Sequence, residues 1–327
     1  MDDRFSGIIS RPALLKAVEE GRAVLFMGAG ASCGAKDEKG NKIPDGKELS
    51  LLIARKFLGA EYEGLDFRST CDLACNQRDV GTVQRFIFET LNPFQPAHFH
   101  KLISTFAWAG LAGTNYDLIV ERAYPAAKSP LQKLVPNTKD GDGATDRLGD
   151  RSVLYVKLHG CITRHGETAP PLIASTEQLI SFRDGREGQF ATFLEWAKTK
   201  TLIFCGYAFL DSNLRMLFDE IIKEGDKRPK HYIINKGLRS AEADYWRDRR
   251  VEAIDASFEE FLTRLTGSVT FLRDTFGFIK CEALKLDAFF VVLLHALECA
   301  DYLAEGAAVH FNLAFTLRGP VAIDIRM

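Results

Sequence analysis

The chain has 327 residues, of which 46% are hydrophobic and 26% are charged, and its formal net charge is −2 at neutral pH. This composition is that of a soluble globular protein and excludes disorder as the main state of the chain. The small net charge gives no global electrostatic case for binding nucleic acid, so we expect any such contact to be only indirect.

The first predicted elements surround a glycine turn. Ser10-Arg-Pro predicts the start of a helix, and Ala23 to Met27 predicts an apolar strand. The turn Gly28-Ala-Gly-Ala-Ser32 follows at once. Glycines let the backbone approach a phosphate closely, but the same turn also occurs for packing alone, and both interpretations stay open. Residues 36–44 predict a polar loop over this turn, ahead of a helix from Leu49.

Further strands are predicted to end in glycine or in polar residues. The motifs at these ends are Thr114-Asn115-Tyr116-Asp117, His159-Gly160 and Gly206-Tyr207, and another strand is predicted over His231 to Ile234. Strands that alternate with helices form a parallel sheet, in which ligands bind at the carboxyl ends of the strands. We therefore predict an α/β, Rossmann-like fold with a mostly parallel sheet and helices on both faces.

The C-terminal part of the chain has a different pattern. Residues 1–267 are predicted to form the first domain, and residues 268–327 a helix and strand appendage. Ala288 to Leu297 is apolar but too short to cross a bilayer, so we expect a core helix or an oligomer interface there. Residues 312–327 alternate loosely, as a strand does.

The seven cysteines are spread along the chain and are odd in number. They fit reduced cytoplasmic thiols better than the disulfide framework of a secreted domain. Only Cys71 and Cys75 lie close in sequence, without the second pair that a tetrahedral zinc site needs, so we expect no metal. The start Met-Asp-Asp-Arg lacks the features of a signal peptide, so a cytoplasmic location without membrane contact is expected.

Four motifs occur in the order and approximate spacing of the sirtuin superfamily. They are Gly28-Ala-Gly-Ala-Ser32, Gly113-Thr-Asn-Tyr-Asp117, Lys157-Leu-His-Gly160, and Gly206-Tyr207 with Asp211. The resemblance is closer to the sirtuin-like NAD-hydrolase domains of bacterial antiphage defence proteins, and it covers roughly residues 12–265. His100-Lys-Leu-Ile and Ala174-Ser-Thr-Glu177 also resemble that family.

This resemblance implies that NAD is the substrate and that Asn115 and His159 are the catalytic pair. It implies that Asn115 orients the ribose or an attacking water. His159 would form hydrogen bonds with the ribose hydroxyls and act as the general base. The implied NAD-binding residues are Gly28, Ala29, Gly30, Ser32, Thr114, Asp117, Gly206, Tyr207 and Asp211. The glycine turn with Ser32 would hold the diphosphate, and Asp117 would support the nicotinamide end.

Simpler structural roles are open for each of these side chains. His159 after an apolar strand could be a hydrogen-bonded core histidine, and Asn115 and Asp117 could cap the following helix. Tyr207 and Asp211 could likewise belong to a turn and a helix cap. The coincidence of four suitable strand ends in the family's order favours the functional interpretation.

The departures from the family pattern favour hydrolysis. After Cys161 no cysteine occurs until Cys205, so the four-cysteine zinc module of protein deacylases is absent and deacylation is disfavoured. Water then becomes the expected acceptor, and cyclisation of ADP-ribose stays open.

The resemblance also implies an effector of antiphage defence, which acts by depleting NAD as a homo-oligomer or with a translocase, nuclease or Argonaute-like partner. The alternative is a sensor or scaffold module that binds NAD or ADP-ribose without turnover.

Overall fold

The computed structural model describes residues 11–127, 130–142, 151–166, 172–181, 183–207, 220–221, 228–262, 265–273, 275–281, 287–291, 303–316 and 319–326. Asp211, which the sequence places in the candidate site, lies outside these residues, as does the segment 292–297.

A sheet of seven parallel strands forms the centre of the molecule. The strands are β1 (Ala23–Met27), β2 (Gly110–Gly113), β3 (Lys133–Asn137), β4 (Ser152–Lys157), β5 (Thr201–Cys205), β6 (His231–Asn235) and β7 (Val251–Asp255). Their order across the sheet is β3-β4-β2-β1-β5-β6-β7, and every neighbouring pair is parallel. This confirms the predicted α/β fold.

Helices cover both faces of the sheet. They are α1 (Pro12–Glu19), α2 (Gly46–Phe57), α3 (Phe67–Gln77), α4 (Val80–Leu91), α5 (His98–Lys101), α6 (Ile119–Ala126), α7 (Thr176–Ile180), α8 (Glu187–Thr199), α9 (Ser240–Arg247) and α10 (Phe258–Leu262). Strand β1 shows why helices must cover both faces of the sheet. Leu25 and Met27 pack in the core that contains α1 and α10, whereas Val24 and Phe26 pack in the core that contains α8. A strand buried on both faces is apolar throughout, as is usual in a parallel sheet.

Three consecutive helices, α2 to α4, form a third apolar cluster with Ile119 and Ile162 at the carboxyl side of the sheet. Each begins at an aspartate, because the carboxylates of Asp45, Asp66 and Asp79 accept the free backbone N–H groups of the first turn. The N-terminal ends of α2 and α3 thereby face the strand ends that carry the predicted motifs.

The C-terminal residues form a small closed barrel. Its strands are β8 (Leu265–Leu272), β9 (Phe276–Lys280), β10 (Ala288–Val291), β11 (Ala308–Thr316) and β12 (Gly319–Arg326), in the order β10-β12-β11-β8-β9. The sequence boundary after residue 267 falls inside β8. The barrel and the sheet share one apolar core.

The helix predicted from Ala288 is wrong for residues 288–291, which form β10. Ala288 and Phe290 are buried inside the barrel, and Phe289 and Val291 are only partly buried on its outside. A short apolar run cannot be assigned to helix or strand by periodicity, and here its aromatic and β-branched residues adopt the strand.

Candidate functional site

The carboxyl ends of four neighbouring strands, β4, β2, β1 and β5, meet at one edge of the sheet. The chain leaves β1 toward β2 on one side, and β5 lies on its other side, so the strand order reverses beside β1. Such a reversal is the place where open parallel sheets bind ligands. The four predicted motifs, without Asp211, are therefore brought together at this edge.

Three glycines at this edge have no room for a side chain. A Cβ on Gly28 would lie 2.7 Å from the Gly206 carbonyl oxygen, and one on Gly30 would lie 2.8 Å from the Gly206 Cα. Gly206 has a φ of +71°, and its own Cβ would lie 2.1 Å from the Ala31 nitrogen. The turns after β1 and β5 thus pack directly on each other, and the packing role of the glycine turn holds in this structure.

Asn115, Ser32 and Asp117 form a buried hydrogen-bond chain. The Asn115 amide nitrogen donates to the Gly28 carbonyl and to the Ser32 hydroxyl, at 2.9 Å each. The Ser32 hydroxyl in turn donates to an Asp117 carboxylate oxygen at 2.7 Å. Because both partners of the Asn115 nitrogen act as acceptors, the amide orientation is determined, and its carbonyl oxygen accepts no hydrogen bond from the described residues.

Asp117 has a second, structural contact. Its other carboxylate oxygen accepts the backbone N–H of Ile119 at 3.0 Å, at the first residue of α6. Asp117 therefore links the start of α6 to Ser32, although the N-cap position of α6 is Leu118. Asn115 instead bonds to the glycine turn.

A fully buried lysine, which the sequence reasoning did not single out, supports this loop. The Lys157 ammonium donates to the carbonyl oxygens of Tyr116, at 3.3 Å, and of Asp117. It also pairs with the Glu121 carboxylate at 2.8 Å. Burial alone would lower the pKa of Lys157, but the charges of Glu121 and Cys161 outweigh it and raise that pKa above its ordinary value. Lys157 is thus a permanent cation beneath the Asn115 loop.

His159 is buried, with only 8% of its surface exposed, and it lines the same cleft. Among the described residues, none forms a hydrogen bond with its ring. Burial, together with the positive charges of Arg68 and Arg186, lowers the pKa of His159 to about 3. The imidazole is therefore neutral at physiological pH and can accept a hydrogen bond from a ligand.

Thr114 and Tyr207 join β2 to β5. The Tyr207 hydroxyl donates to the Met27 carbonyl at 3.0 Å, so the Thr114 hydroxyl donates to Tyr207 at 2.9 Å. The Tyr207 ring also stacks on Phe26, with 5.2 Å between the ring centroids. Tyr207 thus supports the floor of the site from within the core.

A cleft of about 210 Å³ lies over this network. From the sequence-predicted set, its walls contain Ala29, Ser32, Thr114, Asn115, Asp117 and His159. Gly28, Gly30, Gly206 and Tyr207 are not among its lining residues in the described part of the chain. Arg68 and Tyr116 also line it and were missed. For Arg68, the only signal was its place two residues after the helix-capping Asp66.

Among the described residues, no group of three histidine, cysteine or acidic side chains is placed to hold a metal ion. Within the same residues, no helix is both long and apolar enough to span a bilayer.

In a comparison with known protein families, residues 110–254 match the model of the SIR2-like domain. The NAD(+) hydrolase ThsA of Cytobacillus dafuensis is 25% identical over 228 residues, which are 67% of this chain. The chain spans about 42% of the length of that relative. A solved structure reported as "Structural Basis for the Mechanism and Regulation of Sir2 Enzymes" has a TM-score of 0.40 and 15% identity, and the match covers 79% of this chain and 94% of that one.

Proposed function

We propose that this chain, with its SIR2-like domain, is an NAD+ glycohydrolase that converts NAD to nicotinamide and ADP-ribose. The observation that carries the proposal is the fixed orientation of Asn115, whose amide nitrogen is held by Gly28 and Ser32 beside the cleft that His159 also lines. The name of the hydrolase relative supports the same chemistry.

In the proposed reaction, the bond between the nicotinamide nitrogen and ribose C1′ breaks, and its electron pair leaves with nicotinamide. Water then adds to C1′ and loses a proton. The transition state resembles an oxocarbenium ion, so the site must position a polar ribose rather than supply a strong nucleophile. The Asn115 carbonyl oxygen would accept a hydrogen bond from the water, and neutral His159 would accept one from a ribose hydroxyl and take up the proton.

The biological role is proposed as that of an antiphage effector, which depletes NAD when a partner protein or oligomerisation releases its activity. A translocase, nuclease or Argonaute-like protein is the expected kind of partner. This part of the proposal rests on the sequence resemblance, because the chain spans less than half of its hydrolase relative. A cytoplasmic location is part of the same proposal.

The direct test measures nicotinamide release and NAD binding in the same samples, for the wild type, His159→Ala and Asn115→Ala. We expect both variants to lose release by at least about a hundredfold, as is usual when a positioned general base or polar group is removed. His165→Ala is the matched control. His165 bonds to the Ile162 carbonyl, stacks on Phe88 and does not line the cleft. It should retain wild-type release, and separation of ADP-ribose from its cyclic form identifies the acceptor.

One observation favours the alternative, a module that binds NAD or ADP-ribose without turnover. A His159 pKa of about 3 suits hydrogen bonding to a ribose but makes a weak general base at neutral pH. NAD binding without nicotinamide release, over a wide range of protein concentration and with candidate partners added, would establish the sensor instead. The absence of both binding and release would reject both proposals.

A further inference from the structure

The strand connections of the C-terminal barrel point to a second binding site. β8 pairs antiparallel with β9 and β11, β9 with β10, and β11 with β12, whereas β10 and β12 are parallel. A five-stranded barrel with these connections has the topology of the OB fold. In that fold, the face formed by the second and third strands binds oligonucleotides or oligosaccharides. Here the corresponding strands are β9 and β10.

This face carries a cluster of four phenylalanines. Phe271, Phe276, Phe278 and Phe289 have ring centroids between 5.7 and 6.1 Å apart in five pairs. All four are only partly buried, while the alternate residues of β9, among them Ile279, are buried inside the barrel. The rings therefore lie on the outer side, where a barrel normally presents polar residues.

Exposed cations lie at the two ends of this cluster. The Arg273 guanidinium lies 5.3 Å from the centroid of the Phe271 ring, in the hairpin between β8 and β9. Lys280 ends β9, two residues beyond Phe278 and therefore on the same face. Asp287, across from Lys280, already accepts a hydrogen bond from the Thr270 hydroxyl at 2.8 Å. Aromatic rings flanked by cations match what single-stranded nucleic acid requires, because bases stack on the rings and phosphates meet the charges.

We propose that this face, formed by Phe271, Phe276, Phe278, Phe289 and Arg273, binds single-stranded nucleic acid by base stacking. Binding of an oligosaccharide instead is an outcome that the test below distinguishes. The site is separate from the NAD cleft and does not depend on the proposed hydrolase activity.

The charge of the barrel predicts how binding should depend on salt concentration. Residues 265–326 contain five lysines and arginines against seven aspartates and glutamates, so phosphate attraction is not the main driving force. With Arg273 and Lys280 as phosphate contacts, the logarithm of the binding constant should fall with the logarithm of salt concentration at a slope of only about −1.4. A protein that binds through a basic surface has a much steeper slope.

The test measures fluorescence anisotropy of labelled oligothymidylate and oligouridylate strands of about 12 nucleotides with the full chain. We expect saturable binding that Phe276→Leu and Phe278→Leu each weaken at least about fivefold, since leucine keeps the apolar volume but loses the stacking surface. Phe278→Trp should retain or strengthen binding. Tyr62→Leu, which changes an exposed aromatic residue of the first domain, is the matched control and should bind as the wild type does.

Thermal unfolding of each variant, followed by circular dichroism, separates lost stacking from lost structure. The proposal is overturned if neither strand binds saturably, or if the folded leucine variants bind as tightly as the wild type. It is also overturned if a duplex of the same length competes equally, or if only an oligosaccharide or a second copy of the chain occupies the face.

Discussion

At the residue scale, the candidate site depends on polar groups that are buried and paired. Ser32 accepts from Asn115 and donates to Asp117, so each of the three side chains orients the next. Lys157 holds the backbone carbonyls of Tyr116 and Asp117 from below. A buried polar network of this kind is rigid only while every member keeps its partner. We expect loss of the ion pair between Lys157 and Glu121 to disturb this network most.

Replacing Lys157 by methionine should therefore destabilise the protein strongly. The change leaves the Glu121 carboxylate, whose side chain is 16% exposed, without its cation, and breaking a buried pair costs about 3–5 kcal/mol. Urea unfolding measures the loss. Lys236→Met is the matched control, because Lys236 is 65% exposed in its pair with Glu260 and exposed pairs contribute less than about 1 kcal/mol. A Lys157→Met variant as stable as Lys236→Met would contradict this account.

At the element scale, the site is assembled by turns and strand ends that press on one another. The turns after β1 and β5 meet without side chains between them, and α5 is attached to the first of these turns through His100. The elements must therefore keep their spacing for Asn115 to stay in the wall of the cleft. Two predictions test these contacts separately.

The contact between the two turns is tested by Gly206→Ala. Gly206 has a φ of +71° and a hypothetical Cβ 2.1 Å from the Ala31 nitrogen, so alanine is both strained and too large. Gly237 has nearly the same backbone angle, a φ of +76°, but nothing within 4 Å of its Cβ position. We expect Gly237→Ala to cost only the left-handed strain, about 1–2 kcal/mol, and Gly206→Ala to cost clearly more. Equal urea midpoints for the two variants would show that the two turns move apart to accept the methyl group of the Gly206→Ala variant, and would contradict this account.

The attachment of α5 is predicted to fail in acid. The His100 Nδ1 atom accepts the Ala97 N–H at 2.9 Å, so Nε2 donates to the Ala31 carbonyl at 2.9 Å and the ring is neutral. Burial lowers the pKa of His100 to about 4, and that of His231 to about 3. Because these pKa values lie below the ordinary 6.5, the unfolded chain takes up protons first as the pH falls. Stability should be full above about pH 6.5 and decline toward pH 4, by up to about 1.4 kcal/mol per pH unit for each histidine.

Urea titrations at a series of pH values measure this slope. A His100→Gln variant should show a shallower decline between pH 6.5 and 4, because one of the titrating groups is gone. An unchanged slope in His100→Gln would rule out His100 as an acid-sensitive attachment.

The sequence reveals those parts of the site that follow a local pattern. Strand ends with glycine and polar residues were predictable because β1 and β5 are short apolar runs that stop abruptly. Lys157 lies in the motif Lys157-Leu-His-Gly160, but the sequence predicts no role for it, since a lysine at a strand end is usually exposed and only the fold shows that Glu121 neutralises it. The helix expected from Ala288 was wrong because the short run in β10 pairs with β9, a contact between distant residues that periodicity does not report.

At the scale of the whole molecule, the barrel and the sheet share one apolar core. Phe106 and Leu262 from the first domain belong to the same buried cluster as Val269 and Phe290 from the barrel. The turn at Leu102–Thr105 also contacts β11. Domains joined by a flexible linker have separate cores, so this arrangement predicts that the two parts support each other's stability.

We expect the full chain to unfold in a single cooperative transition. Because buried residues of both parts belong to one apolar cluster, loss of structure in either part would expose apolar surface that this cluster now buries. Scanning calorimetry should give equal calorimetric and van't Hoff enthalpies. Tryptophan fluorescence, which reports on the first domain through Trp108 and Trp246, should give the same midpoint as calorimetry of the full chain.

A chain that ends at residue 262 should melt at lower temperature or aggregate, since Phe106 and Leu262 would then meet water. Two separate transitions, or a truncated chain as stable as the whole, would mean that the barrel is an independent unit attached to the α/β domain.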